Sequence, residues 1–89
     1  MPLYRIRRNV GVATKEDMDA SAFRAIVCAV QFPGLKWHRS FWDREAGIVE
    51  CYYEAADPGQ LEEHARVSRI PCDDVCVVEE LLPETYVHG

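Results

Sequence analysis

Long apolar runs are missing from the 89 residues, and none approaches the roughly 18 that a membrane-spanning helix requires. Positive charge is short as well. Ten Lys and Arg stand against 15 Asp and Glu, a net charge of −5, which excludes nucleic acid as the expected partner because phosphate affinity accumulates with positive charge. The one basic cluster, Arg5, Arg7 and Arg8, is too short to reverse that balance. No glycine-rich phosphate loop, nucleophile elbow or pair of Cys-x-x-Cys zinc knuckles is present. The N-terminal stretch lacks the charged, apolar and small-residue order of a secretory signal, so a cytoplasmic location is expected. In that reducing compartment Cys28, Cys51, Cys72 and Cys76 are expected as free thiols. There is no repeat, low-complexity tract or linker.

An apolar fraction of 48% and a charged fraction of 28% are those of an ordinary globular chain. The length suits one domain spanning 1–89, with 84–89 as a loosely ordered tail. A domain of this size has a thin core. Dimerisation through an apolar sheet face is the natural supplement.

Near-alternation of apolar and polar residues from Leu3 to Val10 predicts a strand that Gly11 closes. Thr14 with Asp17 makes a capping box, and Lys15 to Gln31 reads as a helix ended by Pro33-Gly34. Its apolar stripe is Met18, Ala22, Ala25, Ile26 and Ala29, widened by Phe23, Val27 and Val30. Leu35 to Asp43 and Ile48 to Ala55 form a hairpin about Arg44-Glu45-Ala46-Gly47. An even turn pairs residues whose numbers sum to 91. Arg39 then faces Tyr52, Phe41 faces Glu50 and Trp37 faces Glu54 on one side. Ser40 faces Cys51 and His38 faces Tyr53 on the other. Asp57-Pro58 caps a second helix with Leu61, His64, Ala65 and Ser68 on one face. Ile70-Pro71 ends it, and Val75 to Leu82 is the last strand.

This βαββαβ order predicts a ferredoxin-like α+β domain: a four-stranded antiparallel sheet with two helices on one face. The bare face would leave Trp37 and Phe41 in water, which a sheet-to-sheet homodimer corrects.

The candidate site residues fall into two layers. His64, Cys51 and His38 are expected between sheet and helices, where imidazole and thiolate suit zinc, nickel or copper. The alternative for His64 is a core histidine bonded to tyrosine or a backbone carbonyl. Glu50 and Glu54 are expected on the open face either side of Tyr52, with Arg39 across the ladder. They would hold a metal with water, perform acid–base work, or form a charge lattice that keeps the sheet soluble. Cys72 and Cys76, three residues apart, read as incidental loop and strand residues.

Trp37-His38-Arg39-Ser40-Phe41, Cys51-Tyr52-Tyr53-Glu54-Ala55, Glu63-His64-Ala65-Arg66 and Ile70-Pro71-Cys72-Asp73-Asp74-Val75 together resemble a small bacterial domain-of-unknown-function family. That family includes a nickel-binding, ferredoxin-like protein. The resemblance implies a dimeric protein that binds nickel or another divalent transition metal, with no established catalysis. It carries site roles onto Cys51, Tyr53, Glu54 and His64. Many members have a histidine immediately before the strand-two serine, where this sequence has Arg39. Here the histidine comes one place earlier, at His38, and adjacent residues of a regular strand point to opposite faces. Two other readings accompany the metal-binding one: a dimeric α+β barrel-type small-molecule enzyme, and a protein-interaction module using the open sheet face.

Overall fold

The computed structural model describes residues 1–87. Its elements run β1 (Leu3–Asn9), α1 (Lys15–Ala29), β2 (Lys36–Asp43), β3 (Ile48–Glu54), α2 (Pro58–Ser68), β4 (Asp74–Val78) and α3 (Pro83–Val87). The four strands form one sheet in the order β2-β3-β1-β4, with every neighbouring pair antiparallel. This is the expected ferredoxin-like arrangement.

Local chemistry sets the element ends. The Thr14 hydroxyl accepts from Asp17 N at 3.1 Å and the Asp17 carboxylate accepts from Thr14 N at 3.0 Å, completing the capping box. Helix α1 stops two residues earlier than expected. Gln31 N and Phe32 N bond to carbonyls three residues back, Cys28 O and Ala29 O, tightening the chain ahead of Pro33. Asp57 caps α2 by accepting from Gln60 N at 2.9 Å, and Pro58 holds the first helical position. Strand β4 ends at Val78 rather than Leu82, because Val78 pairs with Leu3, where β1 begins, so Glu79 onward has no strand beside it. The segment read as a loosely held tail begins as the short exposed helix α3, and residues 88–89 lie outside those described.

The β2–β3 hairpin closes through a four-residue loop, with Asp43 paired to Ile48. Gly47 has φ of +70°, and a Cβ there would stand 2.9 Å from Gly11 O. Its carbonyl accepts from both Val10 N and Gly11 N, tying the hairpin to the end of β1.

The expected register holds from Arg39 to Asp43 and fails beyond it. Trp37 pairs with Tyr53 and Lys36 with Glu54, so His38 is an extra residue in a β-bulge. Trp37 consequently lies on the helix-covered face, its ring stacked on Tyr53 with centroids 6.2 Å apart and its Nε1 donating to Ser40 Oγ at 2.9 Å. The placements of Trp37 on the open face and His38 on the covered face are both corrected. Keeping the large indole against Tyr53 requires the strand to accommodate one unpaired residue.

The core lies between sheet and helices and is built on Tyr4, Ile6, Val49, Cys51, Tyr53, Ala55 and Leu61. Ile6 and Leu61 are wholly buried. Helix α1 meets this core with small residues, and Ala25 is its buried member. The expected widening of its stripe does not occur, since Phe23 is 69% exposed and Val27 and Val30 also face outward, and Ile26, expected within the stripe itself, is exposed as well. An alanine-lined face packs closer to its neighbours than a phenylalanine-bearing one would.

Leu61→Ala is therefore expected to destabilise the domain by about 2–5 kcal/mol. Phe23→Ala should shift stability by no more than about 0.5 kcal/mol. Urea denaturation of the two variants checks this; comparable losses would contradict the assignment of the core.

Candidate functional site

The bulge divides the predicted residues into two groups that do not meet. On the open face, His38 Nε2 lies 2.8 Å from Glu54 Oε2, with both side chains about two-thirds covered. The hydrogen bond from His38 is the main cause holding the Glu54 carboxyl below its usual pKa. This pair sits on the wall of a concavity of about 670 Å³, which also includes Arg5, Arg39, Phe41 and Tyr52. Phe41, 61% exposed, packs edge-on to Tyr52.

Glu50 belongs to a different local group. Its carboxylate lies 3.7 Å from Arg5 Nε, and Arg5 also donates to Asp74 at 3.1 Å. Glu50 and Glu54 are four residues apart on β3, about 13 Å at ~3.3 Å per residue, so the two backbones are too far apart to converge on one ion. Arg39 pairs with Tyr52 as expected but sends its guanidinium to Glu80, 3.6 Å away, not between the two glutamates. This part of the open face is a charge lattice.

Cys51 and His64 lie on the covered side. His64 is wholly buried. Its Nε2 is 2.9 Å from Ala25 O, and because a carbonyl can only accept, Nε2 carries the proton. Phe32 approaches the ring edge-on and Tyr53 packs beside it. Burial lowers the His64 pKa, and the nearby Arg8 charge adds to the lowering. His64 Nδ1 and the Ser68 hydroxyl one turn later are buried without partners. The core-histidine reading therefore describes His64: it ties α2 to α1 across the helix pair. Cys51 Sγ accepts from Arg8 Nε at 3.3 Å.

Arg8 is the residue that sequence reasoning missed. It is 3% exposed, and Nη1 donates to Pro71 O at 2.6 Å. Its even position, shared with Tyr4 and Ile6 on β1, marks it as an interruption of the apolar face, but within the basic run of Arg5, Arg7 and Arg8 nothing local shows that it is buried or what it binds. Burial raises the Tyr53 hydroxyl beside it to a pKa of about 12, so this phenol stays protonated at neutral pH. Cys72 packs at the edge of the core, whereas Cys76 pairs with Arg5, so these two thiols diverge. All four cysteines are free. Among the described residues, no group of three or more His, Cys, Asp or Glu is placed to hold a metal ion, and no helix is long and apolar enough to cross a membrane.

The lowered His64 pKa has a defined sign for stability. The unfolded chain takes up a proton at about pH 6.5 whereas the folded chain resists it, so stability is complete above that value and falls below it. Thermal melts between about pH 7 and pH 5 should show a steeper loss for the wild type than for His64→Gln, which keeps a donor but cannot titrate. Parallel losses would show that His64 is not the titrating group.

No curated protein matches the chain. The crystal structure of SCO4226 from Streptomyces coelicolor A3(2) superposes with a TM-score of 0.79, covering 90% of this chain and 99% of that one at 10% identity. At that identity the likeness is one of fold. The model of the SCO4226-like nickel-responsive protein family matches residues 4–78, from β1 to the end of β4, and the chain therefore belongs to that family.

Proposed function

We propose that this protein binds a divalent transition metal of the nickel type without catalysing a reaction, and that it does so on the open sheet face as a homodimer. The observation that carries this reading is the His38–Glu54 pair. A bulge in β2 turns the imidazole to the same face as the carboxylate and brings the two within 2.8 Å at the edge of a concave surface. Imidazole nitrogen with carboxylate oxygen is a donor set suited to nickel and its neighbours. The nickel-responsive description of the family supports the choice of metal.

One protomer supplies two adjoining donors. Water can complete the coordination, or a second copy facing the same sheet surface brings another His38 and Glu54. The half-exposed aromatic surface of Phe41 and Tyr52 beside the pair supports the second arrangement. Glu50, held by Arg5, is assigned to the rim of that surface. Cys51 and His64 are assigned to the core: Cys51 Sγ accepts from Arg8, and His64 is wholly buried with Nε2–H bound to Ala25 O and, among the described residues, no group of three ligands about its unpartnered Nδ1.

Calorimetric titration of the untagged protein with nickel is expected to show saturable binding tighter than high micromolar. His38→Ala and Glu54→Gln should each weaken it by about tenfold or more, at least the loss that follows from removing an outer-shell partner. His64→Gln should retain it. Absence of binding, or a His38→Ala variant that binds as the wild type does, would refute this assignment.

A further inference from the structure

Beneath the sheet lies a second cavity, on the face opposite His38 and Glu54 and independent of the metal reading. It is a half-open pocket of about 200 Å³ between β1, β2, β3 and α1, with walls that include Met18, Ala22, Ala25, Trp37, Val49 and Tyr53. Its lining is mainly apolar; Ser21 and Ser40 add hydroxyls, and Arg8 is the one charged residue in the wall.

Arg8 is a buried cation whose close partners carry no full negative charge. It is 3% exposed, donates to the Cys51 sulfur at 3.3 Å and the Pro71 carbonyl at 2.6 Å, and has the Tyr53 hydroxyl beside it. Among the described residues no carboxylate forms an ion pair with it. Guanidinium cannot shed its proton, so a buried arginine depends on a counter-ion. Trp42, in the same lining, has a donor without any partner: its indole Nε1 is buried and unbonded.

We propose that this cavity binds a small apolar carboxylic acid in its ionised form. The carboxylate supplies the counter-charge and two acceptor oxygens, one for an N–H of Arg8 beyond those given to Cys51 and Pro71 and one for the indole N–H of Trp42, and the hydrocarbon body fills the apolar walls. The size fits a single ring or a short chain, since an apolar cavity of ~150 Å³ already accommodates benzene. A phosphate or sulfate would lose its hydration against hydrocarbon walls with one cation to replace it. A pure hydrocarbon would leave Arg8 without a counter-ion.

Trp37 and Trp42 are the two tryptophans of the chain and both line the cavity, so intrinsic fluorescence reports its occupancy directly. Titration of the full chain with cyclohexanecarboxylate should give a saturable fluorescence change. The neutral cyclohexanecarboxamide should bind about tenfold to a hundredfold more weakly, the ratio expected for a hydrogen bond to a charged group. Arg8→Met should remove that preference, and Ala22→Leu, which fills the cavity from α1 and leaves Arg8 in place, should abolish binding of both compounds. If Arg8→Met does not fold, the acid-to-amide ratio and Ala22→Leu decide the matter. No saturable change, equal affinity for acid and amide, or undiminished binding to Ala22→Leu overturns the proposal.

Discussion

The stack of Trp37 on Tyr53 determines what each face of this sheet presents. Tyr53 is fixed by position: it lies on the inward parity of β3 and is almost wholly buried. A regular β2 would have aimed Trp37 away from it, into water. The indole instead packs against the phenol and bonds Ser40, and β2 takes up the difference by leaving His38 unpaired. An aromatic pair contributes about 0.5–1.5 kcal/mol beyond the area it covers, here with the indole still 38% exposed, against the loss of ladder bonds at one position near the beginning of an edge strand. The stack is kept, and the histidine it turns outward becomes, among the described residues, the one imidazole on the open face.

The covered layer shows the opposite competition. In a thin core, Arg8, His64 and Ser68 occupy wholly or nearly wholly buried positions that leucine or valine would fill at less cost. His64 is accommodated as a neutral donor to Ala25 O, so α1 and α2 are joined by a directional bond as well as by alanine packing. Arg24 adds to that junction by donating to Ser68 O at 2.8 Å. Arg8 is different, because its charge cannot be titrated away. Its bond to Pro71 O tethers the loop between α2 and β4 to the central strand, but a neutral carbonyl does not replace a counter-ion. Stability alone therefore does not explain why an arginine stands there.

Most of the architecture was legible in the chain because it rests on local signals. The Thr14–Asp17 box, the Asp57-Pro58 start and the Gly47 turn each specify backbone geometry within a few residues, and the element order follows from them. The faces of β2 were legible only as far as Arg39. Period-two reasoning carries no mark for an inserted residue, and the preference of Trp37 for Tyr53 is a contact across strands that sequence spacing does not encode. The same limit applies to α1. Apolar residues surround it, so periodicity could not decide whether Phe23 or Ala25 faces inward; close approach of α2 through His64 and Ala65 selects the alanine side. Cys51 and His64 read as metal donors by type and lie in the expected layer beneath the helices, but the bonds they make there, from Arg8 and to Ala25 O, exist only in the assembled layers.

The bulge also bears on the family pattern. The family resemblance implies a histidine at the position held here by Arg39, and this chain carries one a residue earlier. In a regular strand that shift would reverse the side chain and place it under the helices. An inserted residue reverses it once more, so a one-place change in sequence is cancelled by a one-place change in structure, and His38 and Arg39 both emerge on the open face. The two side chains then part. His38 turns to Glu54, while the longer guanidinium reaches across the concavity to Glu80 beyond β4. Arg39 thus occupies the open face without competing for the carboxylate that His38 uses. An imidazole thus stands beside a carboxylate on the open face although its place in the sequence has the inward parity of a regular strand.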